Sequence, residues 1–255
     1  KNWRRFHFVP FVLTEIIRQE EDSYVEMLNR ARHGDRSCLP YFNEQVVDEI
    51  DENAICLVPT NAKASAINSA KLNSLVGVPK VFHARTKGTI NAGDKAAEEA
   101  LVLKPGARVI ALCNSTDYKN GQIGTVKELG EDAVRVVWDN GKRSTVESYD
   151  WNIMRPEWDG DVIKHEIVGT FSQIPLRLAY AITIHKSQGQ TYARTCVDPA
   201  CFDIGQLYVA LSRCESIEGL SLMRKAYPNA LKSSPEVLSF YSELTGESYY
   251  TEIEY

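Results

Sequence analysis

Pro175-Leu176-Arg177-Leu178-Ala179-Tyr180-Ala181-Ile182-Thr183-Ile184 runs directly into His185-Lys186-Ser187-Gln188-Gly189-Gln190-Thr191. A near-continuous apolar run that ends at a polar, glycine-containing turn fits a central parallel strand. Such strands are covered on both faces, so they do not alternate apolar with polar. In an open α/β sheet the turn after the strand lies at the carboxyl edge, where ligands sit. The side chains of this turn suit a polyanion. Lys186 and a neutral His185 can donate to phosphate, Ser187 adds a hydroxyl, and Gly189 lets the backbone come close. Taken alone, the same turn also reads as a polar loop with one exposed lysine, so its surroundings must decide.

Those surroundings repeat the α/β pattern. Ala54-Ile55-Cys56-Leu57-Val58 is a short buried strand ending at Pro59. Thr60 or Asn61 can then cap a helix whose stripe is Ala64, Ile67, Leu72 and Leu75. Thr60 and Asn61 therefore fall at the carboxyl end of a strand. Upstream the apolar residues are Val12, Leu13, Ile16 and Ile17, then Tyr24, Val25, Leu28 and Ala31, and the second set sits at helical spacing with Gly34 as the stop. Phe42 to Ile50 is a weaker helical pattern. Downstream, Thr195-Cys196-Val197-Asp198 and Leu220 to Met223 read as strands and Phe202 to Arg213 as a helix. The tail from Ser234 holds one helical stripe of Val237, Phe240, Tyr241 and Leu244.

Between these pieces the period changes. Arg108 to Cys113, Gly124 to Leu129 and Ala133 to Trp138 are short strands, with Asn120-Gly121 and Asp139-Asn140-Gly141 as hairpin-type turns. Short strands at this spacing suggest a small barrel at about 104–165, and the stretch 79–103 reads as irregular linker. The expected organisation is an α/β domain in two parts, 1–103 and 166–232. A small β-barrel is inserted at 104–165, and a helix and tail follow at 233–255.

Composition narrows the classes. The 255 residues are 44% apolar and 25% charged, as in ordinary globular domains. No run of about 18 apolar residues is present, so no membrane span is expected. The six cysteines form no C-x-x-C pair, which points to reduced thiols in a cytoplasmic protein rather than to zinc. The net charge is −5. Any nucleic-acid contact must then come from a local positive stripe and not from the overall balance.

Three further elements carry candidate chemistry. Gln206-Leu207-Tyr208-Val209-Ala210-Leu211-Ser212-Arg213 ends an apolar helix on an arginine. That is the plan of an arginine finger at a transferring phosphoryl group, and also of a helix-end arginine meeting its own dipole. Leu13-Thr14-Glu15-Ile16-Ile17-Arg18-Gln19 places Arg18 and Gln19 in an amphipathic pattern, and Pro59-Thr60-Asn61 is at least a helix cap.

The order of these elements resembles the 5′→3′ branch of superfamily 1 DNA helicases, the RecD-like, Dda-like and petite-integration-frequency helicases. The series there is Leu-x-Glu-x-x-Arg-Gln-x-Asp, a strand ending Thr-Asn, an inserted SH3-like barrel, Thr-x-His-Lys-Ser-Gln-Gly-x-Thr, and Tyr-Val-Ala-Leu-Ser-Arg. The likeness covers about residues 10–225. One departure is that Glu20-Glu21-Asp22 stands where the family has a single residue before Asp. The resemblance implies a RecA-like second motor domain. It implies that Arg18 and Arg213 contact the γ-phosphate of ATP, with Gly189 and Thr191 near the nucleotide. It implies that His185, Lys186 and Ser187 link that site to single-stranded DNA, and that Thr60 and Asn61 hold DNA phosphates.

Catalysis needs more than this. ATP hydrolysis requires a glycine-rich phosphate loop with its lysine and acidic residues for Mg²⁺. No G-x-x-x-x-G-K-[ST] occurs here, and Gly141-Lys142 lies in a hairpin turn with Val136 where the first glycine should be. Val46-Val47-Asp48-Glu49 mimics the acidic strand, but its flanks are polar. The expectation is a fragment that holds no cofactor or metal alone. ATP and Mg²⁺ would be bound together with a separate N-terminal RecA-like ATPase domain, and the protein would be monomeric. Two alternatives remain open. One is a non-catalytic nucleic-acid-binding module with Trp138, Tyr149 and Trp151 as stacking platforms. The other is a helicase-like domain of a conjugation relaxase.

Overall fold

The computed structural model describes residues 9, 19, 21–160 and 162–246. Arg18 and the apolar positions at 12–17 lie outside the described residues. In chain order the elements are α1 (Asp22–His33), α2 (Leu39–Asn43), β1 (Ile55–Val58), α3 (Asn61–Ser74), β2 (Lys80–His83), β3 (Arg85–Gly88), β4 (Ala100–Leu103), β5 (Arg108–Ala111), β6 (Ile123–Leu129), β7 (Ala133–Trp138), β8 (Arg143–Glu147), β9 (Tyr149–Asp159), β10 (Val162–Gln173), β11 (Leu176–Leu178), β12 (Ala181–Thr183), β13 (Thr195–Val197), α4 (Gln206–Leu211), β14 (Leu220–Leu222) and α5 (Pro235–Thr245). They form two compact units, with breaks between Ala64 and Ser65 and between Ala181 and Ile182.

The first unit is built on the sheet β12-β1-β13-β14, in which β1, β13 and β14 run parallel. Every residue of β1 and β13 is buried, the mark of strands covered on both faces. Val46 adds a parallel bridge to Leu222, and Val47 N–H donates to the Leu222 carbonyl at 3.1 Å. The helical pattern expected over Phe42 to Ile50 therefore ends at Asn43. The β-branched pair Val46-Val47 extends the sheet instead, and Asp48 and Glu49 are exposed. The described residues contain no group of three or more metal-ligating side chains. α1 stops where expected. Gly34, at φ 81°, donates to the Ala31 carbonyl and Asp35 to that of Arg30, which satisfies the helix's last carbonyls. α4 is shorter than the expected Phe202 to Arg213, because Gly205 at φ 69° starts it late.

The second unit, Ser65–Ala181, carries an antiparallel sheet of order β11-β5-β6-β7-β8. Alternation sorts its faces. Val134, Val136 and Trp138 of β7 and Val146 of β8 point inward, with Val109, Val126, Leu176 and Leu103 in the same core. Gly141 makes the β7–β8 turn at φ 81°, in the left-handed region that Asn-Gly turns need. The expected segment 104–165 lies wholly inside this unit. The stretch 79–103 is not linker. It forms β2, β3 and β4, and Phe82, Leu101 and Leu103 enter the core. Trp138 is 1% exposed and its indole N–H donates to Ser144 Oγ at 2.5 Å, so it cannot be a stacking platform. Tyr149 and Trp151 pack edge-on at 4.9 Å. β9 and β10 make a long ribbon. Its outer half shows Met154, Trp158, Ile163 and Ile167 on one face and Arg155, Glu157, Lys164 and Glu166 on the other.

The apolar run from Pro175 to Ile184 serves both units. Leu176–Leu178 pairs antiparallel with β5, while Ala181–Thr183 joins the parallel sheet beside β1. Ala181, the last residue of the second unit, is held by Asn68 of α3. Its N–H donates to Asn68 Oδ1 at 2.9 Å, and its carbonyl accepts from Asn68 Nδ2 at 2.8 Å. β12 is a flanking strand of its sheet and not the central strand that the unbroken run suggests.

Candidate functional site

The site lies in the first unit, at the ends of its strands. β12 ends at Thr183, and Ile184–Ser187 follows as one 3-10 turn packed beside β1 and α4. Ile184 and Ser187 are buried and fix the turn, with Ser187 Oγ donating to the Ile184 carbonyl at 2.7 Å. His185 and Lys186 are left on the exposed side. Residue type alone makes the three polar side chains look alike. The structure separates two that can meet a ligand from one, Ser187, whose hydroxyl already serves the turn. Gly189 follows at φ 80°, and an added Cβ would meet nothing within 4 Å. The glycine is thus required by backbone conformation and not by crowding. Thr191 is half-buried.

Arg213 closes over this loop. Its guanidinium donates from Nε to the Val209 carbonyl at 3.0 Å, from Nη1 to the Gln190 carbonyl at 3.1 Å, and from Nη2 to Ser212 Oγ at 2.8 Å. The residue is 9% exposed. Its backbone is tied to the same loop, because the Tyr192 N–H donates to the Arg213 carbonyl at 2.9 Å. The buried Gln19 amide donates to the carbonyls on either side, Ser212 at 3.3 Å and Cys214 at 3.1 Å. Tyr24 donates to the Leu211 carbonyl at 2.6 Å, and burial pushes its phenol above the ordinary tyrosine range. The segment around Arg213 is therefore a fixed support, tied to Gln19, the residue that follows Arg18.

Thr60 caps α3. Its Oγ1 accepts from Lys63 N–H at 3.3 Å and its carbonyl from Ala64 N–H at 3.2 Å. Thr60 and Asn61 are exposed. The link from this cap to α4 is Gln206, 3% exposed. Its Nε2 donates to the Pro59 carbonyl at 3.4 Å, and its Oε1 accepts from Phe202 N–H at 3.0 Å. The structure thus joins the 185–191 turn to Arg213 directly and the Thr60 cap to α4 through Gln206.

Sequence reasoning missed a buried charge network. Asp198, just past β13, has no exposed surface. Its Oδ2 accepts from Lys63 Nζ at 2.5 Å, and its Oδ1 accepts from Arg224 at 2.8 and 3.1 Å and from Ala200 N–H at 3.2 Å. Burial alone would raise this carboxyl. Lys63 and Arg224 outweigh it and hold the group below the usual carboxylate range. No local spacing announces a set that spans residues 63, 198 and 224. The only sequence hint was an Asp ending a buried strand.

Comparison with known proteins follows the same line. No family model matches the chain. It is 31% identical to the ATP-dependent DNA helicase Pif1 of Bdellovibrio bacteriovorus over 255 residues, covering 96% of this chain and 56% of that protein. It is 28% identical to the Pif1 helicase of Campylobacter jejuni, covering 94% and 61%. The chain therefore spans little more than half the length of these curated relatives. An unliganded Pif1 from Bacteroides sp shares the fold at TM-score 0.82 and 29% identity, over 91% of this chain and 56% of that one. The Bacteroides sp Pif1 in complex with ADP-AlF4 gives 0.80, over 92% and 56%. A Bacteroides Pif1 bound to single-stranded DNA gives 0.69, over 91% and 55%. Over nearly its whole length the chain is thus similar, in sequence and in fold, to part of the Pif1 helicases.

Proposed function

We propose that the chain is the C-terminal motor half of an ATP-dependent 5′→3′ DNA helicase, acting in the cytoplasm within a longer protein whose other RecA-like domain carries the phosphate loop. Arg213 and Arg18 stabilise the charge that develops on the γ-phosphate of ATP. Gly189 and Thr191 lie beside the nucleotide. His185 and Lys186, on the turn that Ser187 closes, couple it to single-stranded DNA, whose phosphates Thr60 and Asn61 hold. The acidic residues for Mg²⁺ belong to the other half. The segment 104–165 is an inserted SH3-like barrel, and it interrupts a RecA-like domain made of 1–103 and 166–232. A C-terminal helix and tail follow at 233–255.

One observation carries this reading. Arg213 is held by Val209, Ser212 and the Gln190 carbonyl, so its guanidinium sits on the loop between Gly189 and Thr191. A transition-state arginine must be positioned before the charge appears, because reorganising it during the reaction would consume the gain. Relatives named as ATP-dependent DNA helicases, and neighbours solved with ADP-AlF4 and with single-stranded DNA, support it further. The test is DNA-stimulated ATP hydrolysis by the longer protein. Arg213→Ala lowers kcat about a thousandfold and leaves nucleotide-free strand binding unchanged. Wild-type turnover in the Arg213→Ala protein would refute the assignment.

A further inference from the structure

The Lys63–Asp198–Arg224 network has no role in the scheme above, and its construction is unusual for a purely structural element. Lys63 sits in the first turn of α3, where the helix end already carries partial positive charge and a cation is disfavoured. Asp198 is fully buried and shared by two cations, so the three charges sum to +1 at the sheet edge. A buried ion pair is weak evidence for stability, since apolar replacements commonly serve as well. What the arrangement does secure is direction. Each cation is anchored on one side by the carboxylate, yet the Lys63 and Arg224 side chains remain 38% and 54% exposed. Both belong to the edge that bears Thr60 and Asn61. Lys63 N–H bonds the Thr60 hydroxyl, and β14 leads into Arg224 from the same end of the parallel sheet as β1 leads into Thr60. In a chain of net charge −5, two cations fixed at one edge form the local positive feature that a polyanion needs.

We infer that Asp198 is a positioning residue that aims Lys63 and Arg224 at backbone phosphates of the bound single strand, extending the Thr60–Asn61 contact by two charges. This rests on the strand-holding role proposed above. Lys63 and Arg224 make the phosphate contacts, and Asp198 acts only through them.

The experiment measures affinity of the 255-residue chain for a labelled oligothymidylate across a salt series. For a single strand, each phosphate that a cation neutralises adds about 0.7 to the slope of log affinity against log salt. Lys63→Gln and Arg224→Gln each lower the slope by about that amount, and Arg224→Lys keeps it. Asp198→Asn is the sharper variant, because it removes a negative charge. If Asp198 were merely a nearby charge, its removal would tighten binding. The inference expects weaker binding, a slope lower by up to about 1.4, and no further effect in the Lys63→Gln/Arg224→Gln background. Unchanged slopes in the folded Lys63 and Arg224 variants, or tighter binding by Asp198→Asn, would overturn it. Should Asp198→Asn fail to fold, the Lys63 and Arg224 variants decide alone. Salt-independent or absent binding by the wild-type chain is a different result. It would refute the strand-holding role itself, and this inference with it.

Discussion

A carboxylate with no exposed surface is held ionised only by what touches it, and for Asp198 that is Lys63, Arg224 and one backbone N–H. Its folded pKa lies below the ordinary value of 3.8. The stabilisation is therefore complete above about pH 4 and is lost as pH falls through the folded pKa. Urea unfolding at pH 6 and pH 3 tests this. The wild type loses stability on acidification, and Asp198→Asn loses less, because its share is already gone. At pH 6 the variant is weaker by about 3 kcal/mol, the cost of leaving partners of a buried pair unmatched. An equal acid loss in both proteins would mean that other carboxylates carry the effect. At this scale legibility depended on sequence distance. Arg213 and the 185–191 turn lie in unbroken local motifs and could be read as a chemical set. Lys63 and Asp198 are 135 positions apart, and Gln206 and Pro59 are 147 apart, so nothing local announced either pair. The separate uses of Ser187, Gly189 and Arg213 were equally invisible, because residue type does not say which groups a turn uses for its own closure.

Among elements, the hairpins of the antiparallel unit were readable because turn chemistry is local. Asp139-Asn140-Gly141 marked the turn that follows β7, whereas burial alternates along Ala133–Trp138 so that Trp138 lies inside and not on the stacking surface first considered for it. That alternation fixes a contrast between two tryptophans. Trp138 fills the core at 1% exposure, whereas Trp158 on the outer ribbon is 69% exposed. Trp138→Ala costs about 3–5 kcal/mol, and Trp158→Ser changes stability by no more than about 0.5 kcal/mol, both read by denaturant unfolding. Similar losses for the two would contradict the assignment of faces. The run Pro175 to Ile184 shows the limit of pattern reading. Continuous burial records that a segment is covered, but not which sheet covers it, so two strands in two sheets read as one. The weak strands β2 to β4 were missed for the opposite reason. Lys80–His83 and Arg85–Gly88 are short and largely exposed, and only Phe82, Leu101 and Leu103 tie the region to a core.

For the molecule as a whole, the division into a parallel α/β unit and an antiparallel unit followed from a change of period along the chain. The chain passes between the two compact units inside α3 and at the start of β12, where no change of period marks it, because a helix or an apolar run can begin in one unit and end in the next. The proposed function divides along another line. The chain contributes arginines and strand contacts, while the phosphate loop and Mg²⁺ ligands come from elsewhere in the longer protein. Steady-state ATP hydrolysis by the 255-residue chain alone, with single-stranded DNA and Mg²⁺ present, tests that division most directly. The account predicts no turnover above the buffer rate. Turnover that disappears in Arg213→Ala would contradict it, because the chain would then contain a complete ATPase site.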